Sequence, residues 1–124
     1  MVLSTTTDET NGVIVVSIEG AILFDEDSIS LRILVQHLLN KCGQIVLDLG
    51  NVTHIDSGGV GTLVAAYVAA RKAGGDIKFA NLSDHTKKVL QITKVVRLFE
   101  IYGNTKDAIT SFDGARGTTA SPYR

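Results

Sequence analysis

Residues 44–75, QIVLDLGNVTHIDSGGVGTLVAAYVAARKAGG, decide how the chain is read. Ile45, Val46, Leu47 and Leu49 form an apolar run broken only by Asp48, the composition of a strand covered on both faces. A short loop follows, then a glycine-rich start to a helix over 58–73. Val60, Leu63, Val64, Tyr67 and Val68 recur at the spacing of one core-facing stripe. Gly74-Gly75 ends the helix, because the left-handed position after a helix favours glycine.

The first turn of that helix is unusual. Gly58, Gly59 and Gly61 fall within four residues, and each glycine inside a helix costs about 0.8–1 kcal/mol relative to alanine. Two physical reasons can hold them there. Glycine lets another backbone, a partner surface or a ligand come close, and the unpaired amides of a helix start attract anions. Ser57, between Asp56 and Gly58, carries a hydroxyl at that start, where it is well sited to bear a phosphate. The alternative for Ser57 is a plain N-cap, and Asp56 has the same alternative through its carboxylate.

Toward the N-terminus, residues 4–10 are threonine-rich and read as an edge strand, and Asn11-Gly12 signals a type I′ hairpin turn. Residues 13–18 are strongly β-forming, so the chain opens with an antiparallel pair. Residues 20–27 read as a loop, with Ser28 capping a helix. Its Leu31, Leu34, Val35 and Leu38 recur at i, i+3, i+4 and i+7 until Gly43 stops it. Toward the C-terminus, residues 76–80 (DIKFA) read as a strand. Ser83 or Asp84 caps a third helix with apolar contacts at Val89 and Leu90. Residues 98–101 suggest a further strand, and Thr105 begins a last helix using Ala108, Ile109 and Phe112. Residues 113–124 lack periodicity, hold the only proline, and are expected to form a flexible tail. The order β-β-α-β-α-β-α-β-α implies one α/β domain over residues 1–112. Its sheet is expected to be mixed but mostly parallel, with one antiparallel hairpin strand and about four helices.

The totals narrow the function classes. A length of 124 residues, 44% hydrophobic and 20% charged, suits one globular domain. No apolar run approaches the roughly 18 residues of a membrane span, and MVLSTTTDET resembles no secretion signal. A cytoplasmic protein without a membrane partner is the expectation. Cys42 is alone, which excludes an internal disulfide and a multi-cysteine metal site. The net charge of −1 argues against nucleic acid. That charge is unevenly spread. Residues 1–56 hold eight acids and two bases, whereas residues 57–124 hold five acids and ten bases. Either the protein has an acidic and a basic face for a protein partner, or its solvated helix surfaces simply differ.

Catalytic spacings fail one after another. A P-loop needs Lys-Ser/Thr after its glycines, and Gly61-Thr62 has no lysine. A dinucleotide fingerprint needs a third glycine, where Leu63 and Val64 stand. A nucleophile elbow needs glycine two residues before the serine, where Ile55 stands. His54 precedes Ser57 by three residues but lacks an orienting third group, so it reads as a loop residue near the site. His37 and His85 read as surface residues, and the three histidines lack metal-ligand spacing. Asp56 after a central strand also fits a receiver-type phosphoaspartate. That site needs an acidic pair after an earlier strand and a lysine after a later one, and Glu19-Gly20 and the late strand supply neither convincingly. No catalytic residue, cofactor or metal ligand is therefore assigned, and a binding protein rather than an enzyme is expected.

The IDSGGVG motif after an apolar strand, with an alanine-rich helix ending in AGG, resembles the STAS domain of anti-sigma factor antagonists. The likeness extends over roughly residues 4–112 by the order of elements. In that family the serine after the aspartate is the phosphoacceptor, which the resemblance places at Ser57. It implies a partner that is both anti-sigma factor and serine kinase and that uses the ATP; the unphosphorylated form binds it and frees the sigma factor. The implied partner-binding stretch is Asp56, Ser57, Gly58, Gly59, Val60, Gly61 and Thr62. Two departures stand out. Gly58 replaces the second small residue, commonly serine or alanine, and Leu23 of Gly20-Ala21-Ile22-Leu23 stands where many members carry an aspartate. The nearest carboxylate along the chain is Asp25. A constitutive interaction module without phosphorylation is the alternative.

Overall fold

Asn11 and Gly12 both take positive φ, 53° and 77°, the backbone that a two-residue type I′ hairpin requires. The turn joins β1 (Ser4–Thr10) to β2 (Val13–Ile22) in antiparallel register, with Thr10 opposite Val13 and Ser4 opposite Glu19. These are features of a computed structural model that describes residues 3–23 and 26–114, without side chains at 26–28 and 113–114. After the hairpin come α1 (Glu26–Leu39), β3 (Gln44–Ile55), α2 (Ser57–Lys72) and β4 (Asp76–Ala80). They are followed by α3 (Asp84–Ile92), a 3-10 turn (Val95–Arg97), β5 (Ile101–Tyr102) and α4 (Thr105–Gly114).

The five strands lie in chain order, β1-β2-β3-β4-β5, parallel from β2 onward. Each parallel crossover steps the same way, so right-handed connections stack their helices on one face. The larger core forms there. Ile14, Val16 and Ile18 of β2, Ile45, Leu47 and Leu49 of β3, and Ile77 and Phe79 of β4 meet Leu31, Val35, Leu63 and Leu90 of the helices. Truncating a fully buried side chain such as Leu63 to alanine costs about 2–5 kcal/mol. The helix α4 covers part of the opposite face, where Ala108 and Phe112 close over Val13, Val46 and Ala80.

Several boundaries differ from the sequence reading. Residues 20–22 belong to β2 rather than to a loop, because β3 runs on to Ile55 and pairs with them through a register broken at Ser17/Glu19 and Gly20/Ala21. The helix α1 begins at Glu26, ahead of Ser28, and ends at Leu39, short of Gly43. The late strand is Ile101–Tyr102 rather than 98–101, because Phe99 leaves the strand line to stack on Phe79, 4.2 Å between ring centres. In α2 the inward face is Val60, Leu63, Ala66 and Ala70. Val64 and Tyr67 are half-buried and Val68 is exposed. The expected tail begins with two helical residues, 113 and 114 of α4, and the rest of it lies outside the described residues.

One buried residue of β4 is charged. Lys78 donates from Nζ to Ser111 Oγ at 2.7 Å, pairs with Glu100 Oε1 at 3.4 Å and lies 4.4 Å from the centre of the Phe112 ring. Tyr102 donates its hydroxyl to the same Glu100 oxygen at 2.7 Å. This network ties α4 to β4 and β5, and it satisfies an ammonium that burial would otherwise penalise by several kcal/mol.

Candidate functional site

The site is built where β2 and β3 end side by side, with Ile22 opposite Ile55. Asp56 follows with φ −109° and ψ −179°, an extended conformation that aims its carboxylate back over the first turn of α2. Asp56 Oδ1 accepts from the Gly59 amide at 2.7 Å, and the Asp56 carbonyl accepts from the Val60 amide at 2.9 Å. Asp56 is therefore the N-cap. Ser57 is the first helical residue, and its cap alternative falls away. Its side chain is exposed, and its hydroxyl has no hydrogen-bond partner among the described residues. Helix geometry leaves the Ser57 and Gly58 amides without intrahelical acceptors, and no acidic residue stands in the first turn. The positive end of a 16-residue helix thus lies next to the exposed Ser57 hydroxyl.

The three glycines divide by role. A Cβ on Gly59 would lie 1.9 Å from the Ile22 carbonyl oxygen, which also accepts from the Asp56 amide at 3.4 Å. Glycine there lets α2 press its first turn onto the end of β2. A Cβ on Gly61 would meet nothing within 4 Å. Gly58 is half-buried, and its carbonyl accepts from Thr62 Oγ1 at 3.2 Å.

Of the stretch 56–62, the structure leaves Asp56, Ser57 and Gly61 exposed and Gly58 half-exposed. Gly59, Val60 and Thr62 are buried, so they support the turn from within and offer a partner little surface. His54 lies on the last part of β3, not on a loop. Its ring meets that of His85, in the first turn of α3, edge-on at 5.9 Å and 66°. Nothing in the sequence pairs these residues, because the contact depends on how α3 packs beside β3. Among the described residues, no three His, Cys, Asp or Glu side chains converge to hold a metal ion. Nor is any described helix long and apolar enough to cross a membrane.

The STAS domain family model matches residues 4–108, most of the chain. The chain belongs to the STAS domain family. An anti-sigma F factor antagonist of Paenibacillus polymyxa is 25% identical over 104 residues, covering 82% of this chain and 88% of that protein. The crystal structure of an anti-sigma factor antagonist from Mycobacterium paratuberculosis superposes with a TM-score of 0.76 at 25% identity, covering 89% of this chain and 93% of that one. Bacillus SpoIIAA in its phosphorylated form shares the fold at a TM-score of 0.66 and 16% identity, covering 88% and 99%. In this STAS domain Leu23 is half-buried and directly follows Ile22, whose carbonyl meets the Asp56 amide. The position at which the resemblance implies an aspartate thus adjoins the Ser57 turn. Asp25 lies outside the described residues.

Proposed function

We propose that this protein is an anti-sigma factor antagonist: it binds an anti-sigma factor that is also a serine kinase, and phosphorylation of Ser57 switches that binding off. The observation that carries this reading is the exposed Ser57 hydroxyl, without a hydrogen-bond partner among the described residues, at the first position of α2, directly after a carboxylate cap, in a STAS domain. Two relatives at 25% identity are described as anti-sigma factor antagonists. The partner uses the ATP, and this chain supplies a surface and an acceptor with no turnover of its own. It acts in the cytoplasm, where sigma factors work.

A phosphate on Ser57 adds a charge of about −1.5 to −2. The free amides and the dipole of α2 favour it by about 1 kcal/mol, so the fold survives. Docking does not, because a dianion buried without a partner against an apposed surface costs several kcal/mol. Ser57→Asp is expected to fold normally and lose most affinity, and Ser57→Ala to bind and escape regulation. Titration of the three proteins against the cognate anti-sigma factor, with intact mass measured after incubation with it and ATP, checks this. Equal affinity for all three and no added phosphate would sink the switch. That outcome favours the second reading, a constitutive STAS interaction module, for which Leu23 beside the turn is the supporting feature.

A further inference from the structure

The helix α3 buries Thr86 and Leu90, with Val89 and Thr93 half-buried. His85, Lys88 and Ile92, at i, i+3 and i+7, share one exposed flank of it. That flank begins beside the Ser57 turn. The His85 ring touches that of His54, and His54 lies three residues before Ser57, a span of about 10 Å at most. Two features of this region face solvent. Ile92 is 69% exposed, more than any other large apolar side chain described, and Leu98 beyond it is also exposed. Residues 84–98 hold Lys87, Lys88, Lys94 and Arg97 against a single carboxylate, Asp84; of these Lys88 lies on the flank, Lys87 turns to the opposite side of α3, and Lys94 and Arg97 follow its C-terminal end. None of the four forms an ion pair among the described residues.

An exposed apolar side chain among uncompensated cations complements an acidic segment that carries an apolar anchor. We propose that the His85–Lys88–Ile92 flank of α3 extends the docking surface of the Ser57 turn and receives such an acidic segment of the anti-sigma factor. The inference rests on the antagonist reading above. Lys88, in the field of Lys94 and Arg97, steers the encounter, and Ile92 supplies the contact that slows dissociation. An anionic membrane is the poorer occupant. Ile92 and Leu98 offer little apolar surface to insert, and interfacial binding scales with that surface.

The test titrates wild type, Lys88→Glu, Ile92→Asp and Ser57→Asp against the cognate anti-sigma factor at low and physiological salt. Both flank variants change exposed side chains and are expected to keep the wild-type melting temperature. Each is expected to bind about tenfold more weakly, Lys88→Glu through slower association and a flatter salt dependence, Ile92→Asp through faster dissociation. Flank variants that bind as tightly as a binding-competent wild type overturn the flank and leave the antagonist reading standing. A wild type that does not bind removes both. Retention on vesicles of equal parts phosphatidylglycerol and phosphatidylcholine, abolished by Lys88→Glu while affinity for the anti-sigma factor is unchanged, overturns the flank in favour of a membrane.

Discussion

At Gly59 an added Cβ would sit 1.9 Å from the Ile22 carbonyl oxygen, a backbone atom that cannot move without shifting the end of β2. Gly59→Ala is therefore expected to destabilise the fold by about 3 kcal/mol, the upper part of the usual range for overpacking. Gly61→Ala enters open space two residues further along the same helix and is expected to stabilise by up to about 1 kcal/mol. Urea denaturation of the two variants beside wild type checks the pair, and equal stabilities would refute the assignment of Gly59 as the close approach. The contrast bears on function as well as stability. The fold gives no reason for glycine at 61; a partner seated over the exposed start of α2, as proposed above, would.

Within the five residues of β4, Asp76 and Lys78 meet different fates. Lys78 is buried but held by Glu100, Ser111 and the Phe112 ring. Asp76 is less well served. Burial pushes its carboxyl above the ordinary value of 3.8. Arg71, 3.5 Å away but largely in solvent, opposes that rise, and nearby Glu100 adds to it. The native state consequently holds this proton to a higher pH than the unfolded chain does. The stability it contributes is complete below 3.8 and is lost as pH rises through the raised pKa. Asp76→Asn can keep the 2.9 Å bond that Oδ1 accepts from the Ile77 amide, yet it cannot titrate. Relative to that variant, wild type is expected to lose stability as pH rises from about 3 toward neutrality. Denaturation curves across that range check the sign, and a constant difference would contradict it.

Across the whole molecule, we propose a domain that ends with α4 and a dispensable tail. Phe112 is buried and its ring lies over Lys78, so truncation is expected to have a sharp threshold. Removing 115–124 is expected to leave the melting temperature within a few degrees. Removing 112–124 takes away a buried aromatic worth about 3–5 kcal/mol and is expected to lower it by more than about 8 °C. Thermal denaturation of the two truncated chains separates the cases. The element order, the Asn11-Gly12 turn, β4 and a cap of α3 at Ser83 or Asp84, of which the structure takes Ser83, were all legible in the sequence, because each depends on residues within a few positions of one another. The location of Ser57 at the start of α2 was legible for the same reason. Tertiary structure decided what local chemistry leaves open. It extended β2 and β3 by pairing them, drew Phe99 out of the strand line onto Phe79, buried Lys78 beneath α4, and set His85 against His54. It also chose Asp56 over Ser57 as the cap, because the path of β3 beside β2 fixes which side chain can reach the Gly59 amide. A residue's propensity is set by its neighbours in the chain. The free energy of burying a ring or a charge depends on partners that only folding brings within reach.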